Sequence, residues 1–182
     1  MKKLIVIICA LFVSTFTFAQ KEKTVEVGGA PMYPSKNIVQ NAVNSEDHTT
    51  LVAAVQAAGL VSTLESQGPF TVFAPTNGAF DKLPEGTVAT LVKPENKATL
   101  TKILTYHVVA GNYDSKAIKM AIDKGNGTAS FTTVEGDKLM AKMEGKKLVL
   151  IDEKGGKSYV TIKDVYQSNG VIHVIDTVVM PN

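Results

Sequence analysis

Three histidines, His48, His107 and His173, are the side chains of this sequence best suited to carry a proton or ligate a metal. Zinc normally takes three or four protein ligands. The only cysteine is Cys9, in an apolar N-terminal run, so a metal site would need all three histidines. His48 falls at the start of a surface helix and is not expected to join the others. His107 follows Leu100, Ile103 and Leu104 at i, i+3, i+4 and i+7 spacing, on the apolar face of a helix. His173 lies inside an apolar strand. Both read as core imidazoles, each with a nitrogen bonded to a backbone carbonyl or a hydroxyl; a hydrolase would instead need one of them exposed in a cleft beside an acid or hydroxyl. Ser168 is near His173 and Asp176 in sequence, but it borders a tight turn and the strand separates the three. No Gly-x-Ser-x-Gly elbow is present. Glu46-Asp47 and Asp152-Glu153 are adjacent pairs at element ends, read as solvated. Gly125-Asn126-Gly127 lacks the lysine and hydroxyl of a phosphate loop. No catalytic residue, cofactor or metal is expected, and the chain is read as not an enzyme.

Those residues must be held by a domain that begins after an export signal. Met1-Lys2-Lys3, the apolar run Leu4 to Val13, and Thr17-Phe18-Ala19 follow the basic, apolar, small-residue order of a secretory signal. Cleavage is expected near Ala19, with residues 20–35 as a leader broken by Gly28-Gly29 and Pro34, and 36–182 as one domain. The apolar run is shorter than the roughly 20 residues a membrane span needs. Ile8 before Cys9 argues against a lipid anchor. All 19 basic residues are lysine and 17 residues are acidic. Removing Lys2 and Lys3 leaves 17 against 17, so the mature part is near neutral. The lysines are scattered among acids, without the basic stripe of a nucleic-acid binder. With no mature cysteine, the core alone must hold the fold.

The spacing predicts helices first. Ile38, Val39, Ala42 and Val43 share a face; Asp47 is a candidate cap for a helix ended by Gly59; Leu60–Leu64 and about Val88–Val92 are short helices. One follows Pro94, and Ser115 can cap a last one. Phe70–Ala74 reads as a buried strand, with Thr76 capping the helix that carries Phe80. After Gly125 the pattern becomes strands separated by Gly-containing turns, a meander of hairpins. Asn169-Gly170 predicts a type I′ hairpin, which would set Tyr166 opposite His173 and Asp164 opposite Ile175. Val171 and Ile175 would face one side, Ile172 and Val174 the other, as in a buried central strand. The order argues for an α+β fold.

Three segments carry a family resemblance. Thr71-Val72-Phe73-Ala74-Pro75-Thr76-Asn77 through Phe80 resembles the first conserved box of the fasciclin (FAS1) domain. Tyr106-His107 falls at the family's Tyr-His pair, and Asn169-Gly170-Val171-Ile172-His173-Val174-Ile175-Asp176 resembles the second box. The resemblance spans roughly Pro34 to Pro181. It implies a wedge-like β-sandwich with N-terminal helices packed on one side, an extracellular setting, and adhesion without catalysis. It also implies partner-binding residues at Tyr106, His107, Asp164 and Val165; Val165 stands where the family's integrin-binding members carry isoleucine. The short Lys-Lys signal and the cysteine-free mature chain look bacterial.

Together these observations point to an exported, monomeric interaction module. It would bind a protein or polysaccharide at the cell surface or in the extracellular matrix, with no nucleic acid and no membrane span. The alternative is a small hydrophobic ligand held in a pocket between helices and sheet.

Overall fold

The computed structural model describes residues 22–182; the expected signal and its cleavage near Ala19 lie outside them. The stretch read as an irregular leader contains a hairpin. Strand β1 (Val25–Val27) pairs with β2 (Ala30–Met32) around Gly28-Gly29, both at positive φ, and buries Val27 and Met32. Six α-helices, four of them only four or five residues long, follow within the next 75 residues: α1 (Ile38–Ala42), α2 (Thr49–Ala58), α3 (Val61–Glu65), α4 (Asn77–Phe80), α5 (Thr87–Leu91) and α6 (Lys97–Tyr106). Strand β3 (Phe70–Pro75) interrupts them. After α6 come β4 (Val108–Ala110), α7 (Ser115–Lys124) and the meander β5 (Thr128–Thr132), β6 (Lys138–Glu144), β7 (Lys147–Ile151), β8 (Lys157–Gln167) and β9 (Gly170–Ile175).

Local chemistry sets most ends. Asn37 and Gln40 form a reciprocal capping box on α1. Gly59 ends α2 in the left-handed conformation, as its position predicts. Thr76 caps α4, accepting from the Ala79 N–H at 3.2 Å. Two expected caps move by one or two residues. Asp47 sits inside a 3-10 turn that leads into α2, and α7 is capped by Asp114, which accepts from the Ala117 N–H at 2.7 Å, leaving Ser115 as the first helical residue.

The seven-stranded sheet runs β4-β3-β9-β8-β7-β6-β5. Its two edges meet through Val109 and Thr133, with the Val134 N–H bonded to the Val108 carbonyl at 2.7 Å, so the sheet curls almost shut as a barrel-like sandwich. The meander is antiparallel as expected, but β3 pairs parallel with β9, from Phe70 opposite Gly170 to Pro75 opposite Ile175. Periodicity cannot signal that pairing, because both strands are apolar on both faces and lie a hundred residues apart. One face of β3 and β9 (Val72, Ala74, Ile172, Val174) packs under the helices; Phe73 and Ile175 turn into the sandwich with Phe131, Leu139, Leu150 and the α7 residues Ile118 and Ile122.

The second box is built differently from the type I′ turn predicted for it. Gln167 pairs with Gly170 and Tyr166 with Val171, so the loop is Ser168-Asn169 and neither takes positive φ. Gly170 is required for another reason: a β-carbon there would fall on the Phe70 carbonyl oxygen of the parallel neighbour. Asn169 uses its side chain as a clamp. Its Oδ1 accepts from the Ile38 N–H at 3.0 Å, and its Nδ2 donates to the carbonyls of Leu64 (2.8 Å) and Ser66 (2.9 Å), tying α1 and α3 to the β8–β9 turn. Between those helices, α2 and the sheet, packing leaves a cavity of about 100 Å³.

Replacing Asn169 by Ala strands three backbone groups at once. Each net hydrogen bond contributes about 1 kcal/mol, so Asn169→Ala is expected to lower the urea-unfolding free energy by about 2–3 kcal/mol. A change below about 0.5 kcal/mol would show that the clamp is not stabilising.

Candidate functional site

The Tyr-His pair closes α6 and is sealed in the core. Tyr106 is fully buried and its hydroxyl donates to the Lys138 carbonyl at 2.7 Å. Burial pushes its ionisation up to about 12, so it acts as a permanent donor. His107, 3% exposed, has Nδ1 2.8 Å from the Ile103 carbonyl, while Nε2 accepts from the Val179 N–H at 3.2 Å. These two partners fix a neutral imidazole with the proton on Nδ1. Burial holds its pKa down at about 4, against a weaker opposing effect of the Ile103 carbonyl. One imidazole thus joins the end of α6 to the C-terminal segment.

Asp164 stands in the left-handed region at φ 62°, within an irregular stretch of β8 where the pairing slips between Val160, Ile162 and Val165. Asp164 therefore does not face Ile175, and Tyr166 does not face His173. Its carboxylate instead grips the start of α7, accepting from the Ser115 N–H at 2.6 Å and the Ser115 hydroxyl at 2.5 Å. Its own N–H lies 3.4 Å from His173 Nδ1. His173 Nε2 is 2.9 Å from the Tyr113 carbonyl, and the ring stacks on Phe73 at 5.7 Å between centroids. Burial lowers the His173 pKa and keeps it neutral. Val165 is fully buried. Of the four residues that the resemblance marks for partner contact, then, Tyr106, His107 and Val165 present no surface, and Asp164 is occupied within the fold.

The remaining candidates disperse. Ser168 lies in the β8–β9 turn, His173 in mid-strand and Asp176 beyond the far strand end, so they form no triad. His48 is not on a surface helix: it is 1% exposed, and its Nδ1 lies 2.9 Å from Ser45 Oγ. Asp152 is buried rather than solvated, accepting from the N–H groups of Lys154, Gly156 and Met180. Among the described residues no group of three or more His, Asp or Glu side chains could hold a metal ion.

Several polar residues that motif logic passed over turn out to be stitches. Thr71 is fully buried, donating to the Gly111 carbonyl and accepting from the Tyr113 N–H, both at 2.8 Å. Asn77 accepts from the Thr50 N–H at 3.0 Å and donates to the Glu46 carbonyl at 2.8 Å, seating α2 on the first box. Asn41 is buried against Tyr33 and the Gln167 amide. Asn and Thr at the ends of an apolar box were the available signal. Outside, an open polar hollow of about 520 Å³ lies around the β8–β9 turn, lined by Asn37, Gln40, Glu65, Gln67, Asn112 and Ser168 among others.

Residues 46–181 match the model of the Fasciclin domain. The chain belongs to the fasciclin domain family. It is 44% identical over 160 residues to Protein sll1483 of Synechocystis, covering 88% of this chain and 82% of that protein. It is 37% identical over 145 residues to Immunogenic protein MPB70 of Mycobacterium bovis, covering 77% and 66%. A FAS1 domain pair from the insect cell adhesion molecule Fasciclin I superposes with TM-score 0.69 at 20% identity, covering 80% of this chain and 51% of that one, which establishes the shared fold. The fasciclin match begins after the β1–β2 hairpin and α1.

The buried histidines of this fasciclin domain make its stability depend on acid. A neutral imidazole with a lowered folded pKa leaves the unfolded chain binding more protons. Stability is therefore fully present above about pH 6.5 and falls as pH drops through the unfolded value toward about 4, where His107 protonates in place. His107 alone would remove roughly 3 kcal/mol over that window, and His173 acts in the same direction. Urea midpoints should fall steadily from pH 7 to pH 4.5, and His107→Gln should be less stable at neutral pH with a shallower slope. A flat profile would contradict the neutral-imidazole assignment.

Proposed function

We propose that this fasciclin domain is an exported, non-enzymatic interaction module, released by cleavage near Ala19, acting as a monomer that binds a protein or polysaccharide outside the cytoplasm. The observation that carries the reading is the contrast between inside and outside. His107 and His173 are committed on both ring nitrogens to main-chain groups, and the Tyr106 hydroxyl is committed likewise. The exterior offers the open hollow at the β8–β9 turn, whose carboxamides can donate and accept together. That chemistry suits sugar hydroxyls or peptide groups and performs no bond-breaking step. Adhesion is also the role of the insect cell adhesion molecule whose fold this chain shares.

In this reading Tyr106, His107, Asp164 and Val165 act as positioning residues, the first three holding β6, the C-terminal segment and α7 in place and Val165 filling the core. A single shallow site binds weakly, and display of many copies supplies avidity. The test is binding of the mature domain, immobilised on beads, to polysaccharide and matrix fractions of its source organism. Capture is expected, with a several-fold loss in Gln67→Ala/Asn112→Ala at unchanged thermal midpoint. Undiminished capture by that variant moves the site elsewhere; unchanged adhesion and biofilm formation after deletion of the protein would overturn the function.

A further inference from the structure

The pocket under α1, α2 and α3 has mainly apolar walls, with the exposed Gln56 and Thr63 also lining it. Ile38, Val39, Leu51, Val52, Val55 and Ile172 line it with other apolar side chains, and no Lys, Asp or Glu reaches it. Protein interiors are close-packed and hold few spaces larger than a water. A space of about 100 Å³ would admit several waters, but each ordered water needs two to four polar partners, and the polar side chains here are few beside the apolar ones. One buried polar atom there makes no hydrogen bond of ordinary geometry. His48, 1% exposed, lines the cavity; its Nδ1 is engaged by Ser45, and its Nε2 is buried without a hydrogen-bond partner. The Ala74 main chain is close enough to act on the ring as a hydrogen-bond acceptor, but the contact falls outside ordinary hydrogen-bond geometry. His107, the other wall imidazole, has both nitrogens occupied. Orphaned buried nitrogens are uncommon in native cores. This one, with only the poorly aligned Ala74 main chain beside it, borders an apolar space.

We infer that this cavity is a binding site for a small neutral molecule of about one ring, with an apolar body and a single oxygen that pairs with His48 Nε2. The site goes beyond the surface-recognition role and stands without it. Size sets the upper bound: an apolar protein cavity of about 150 Å³ takes benzene, so this space of about 100 Å³ takes at most one small ring as the short helices give way, and a long acyl chain or polyene is not enclosed. Charge sets a second bound, because burial lowers the His48 pKa and leaves the wall without a cation for a carboxylate. The cover is distinctive. Met32, Ile38, Val39 and Ala42 precede residue 46, where the fasciclin match starts, so the lid belongs to the segment outside the matched region. Short α1 and α3, joined to the sheet through Asn169, are the elements that would part to admit a ligand.

The experiment is titration of the full mature chain with phenol, toluene and benzoate, followed by amide and methyl NMR and by thermal midpoint. Phenol and toluene should raise the midpoint and shift the resonances of Leu51, Val52, Val55 and Ile172. Phenol should bind about threefold to tenfold tighter than toluene, the worth of one net hydrogen bond, and benzoate should leave both readouts unmoved. His48→Phe should abolish the preference for phenol, and Val55→Phe, which fills the void, should abolish binding of both. If either variant fails to fold, the wild-type contrast still decides. No shift at millimolar phenol and toluene, shifts confined to other surfaces, or benzoate binding as well as phenol would overturn the site; equal binding of phenol and toluene would overturn the role of His48. Native mass spectrometry of the freshly purified chain adds an independent arm: a co-purified neutral species of one-ring size supports the inference, and a long-chain lipid refutes it.

Discussion

The parallel pairing of β3 with β9 is the contact on which the rest of the molecule depends. It joins Phe70–Pro75 to Gly170–Ile175 in unbroken register, and both strands are covered on both faces. Parallel strands survive where both faces are shielded, and here the helices shield one and the curled sheet the other. The approach is close enough that position 170 must lack a side chain. The two boxes by which the family is recognised are thus two halves of one central structure.

That arrangement explains where the polar residues of the boxes went. Main-chain groups entering a two-sided core must find partners, and Thr71, Thr76, Asn77 and Asn169 supply them to loops and helix ends that no ladder reaches. His107 and His173 do the same from α6 and β9. Their titratable nitrogens are spent on geometry, so their chemical potential is not available for catalysis. The exception is His48, whose second nitrogen has no partner among the described residues.

Much of the architecture was legible in the residues. Helical spacing located α1, α2 and α6, the Gly59 stop and the Thr76 cap follow from backbone preferences, and the burial of His107 follows from its place beside Leu100, Ile103 and Leu104. What stayed hidden was long-range. A parallel partner a hundred residues away leaves no periodic trace. The Asn169-Gly170 pair pointed to a turn with positive φ, whereas the glycine answers to a neighbouring carbonyl and the asparagine to two helices. Asp164 could face in or out from its sequence alone, and the slip in β8 turns it in as a carboxylate that accepts from Ser115. His48 reads as a surface residue because it stands at a helix start among Glu46, Asp47, Thr49 and Thr50, and nothing in that polar stretch signals that the ring is buried against Ser45.

The central strand is also among the last segments of the fold to be synthesised. β3 leaves the ribosome about a hundred residues before β9, and until β9 arrives one of its edges has no neighbour. Contacts of such separation in sequence form slowly, since a long loop must close first. A chain so ordered stays loose while it is being made and locks only when nearly complete. Its emerging β3 must meanwhile be kept from pairing with the wrong strand, a burden that falls on whatever receives the nascent polypeptide.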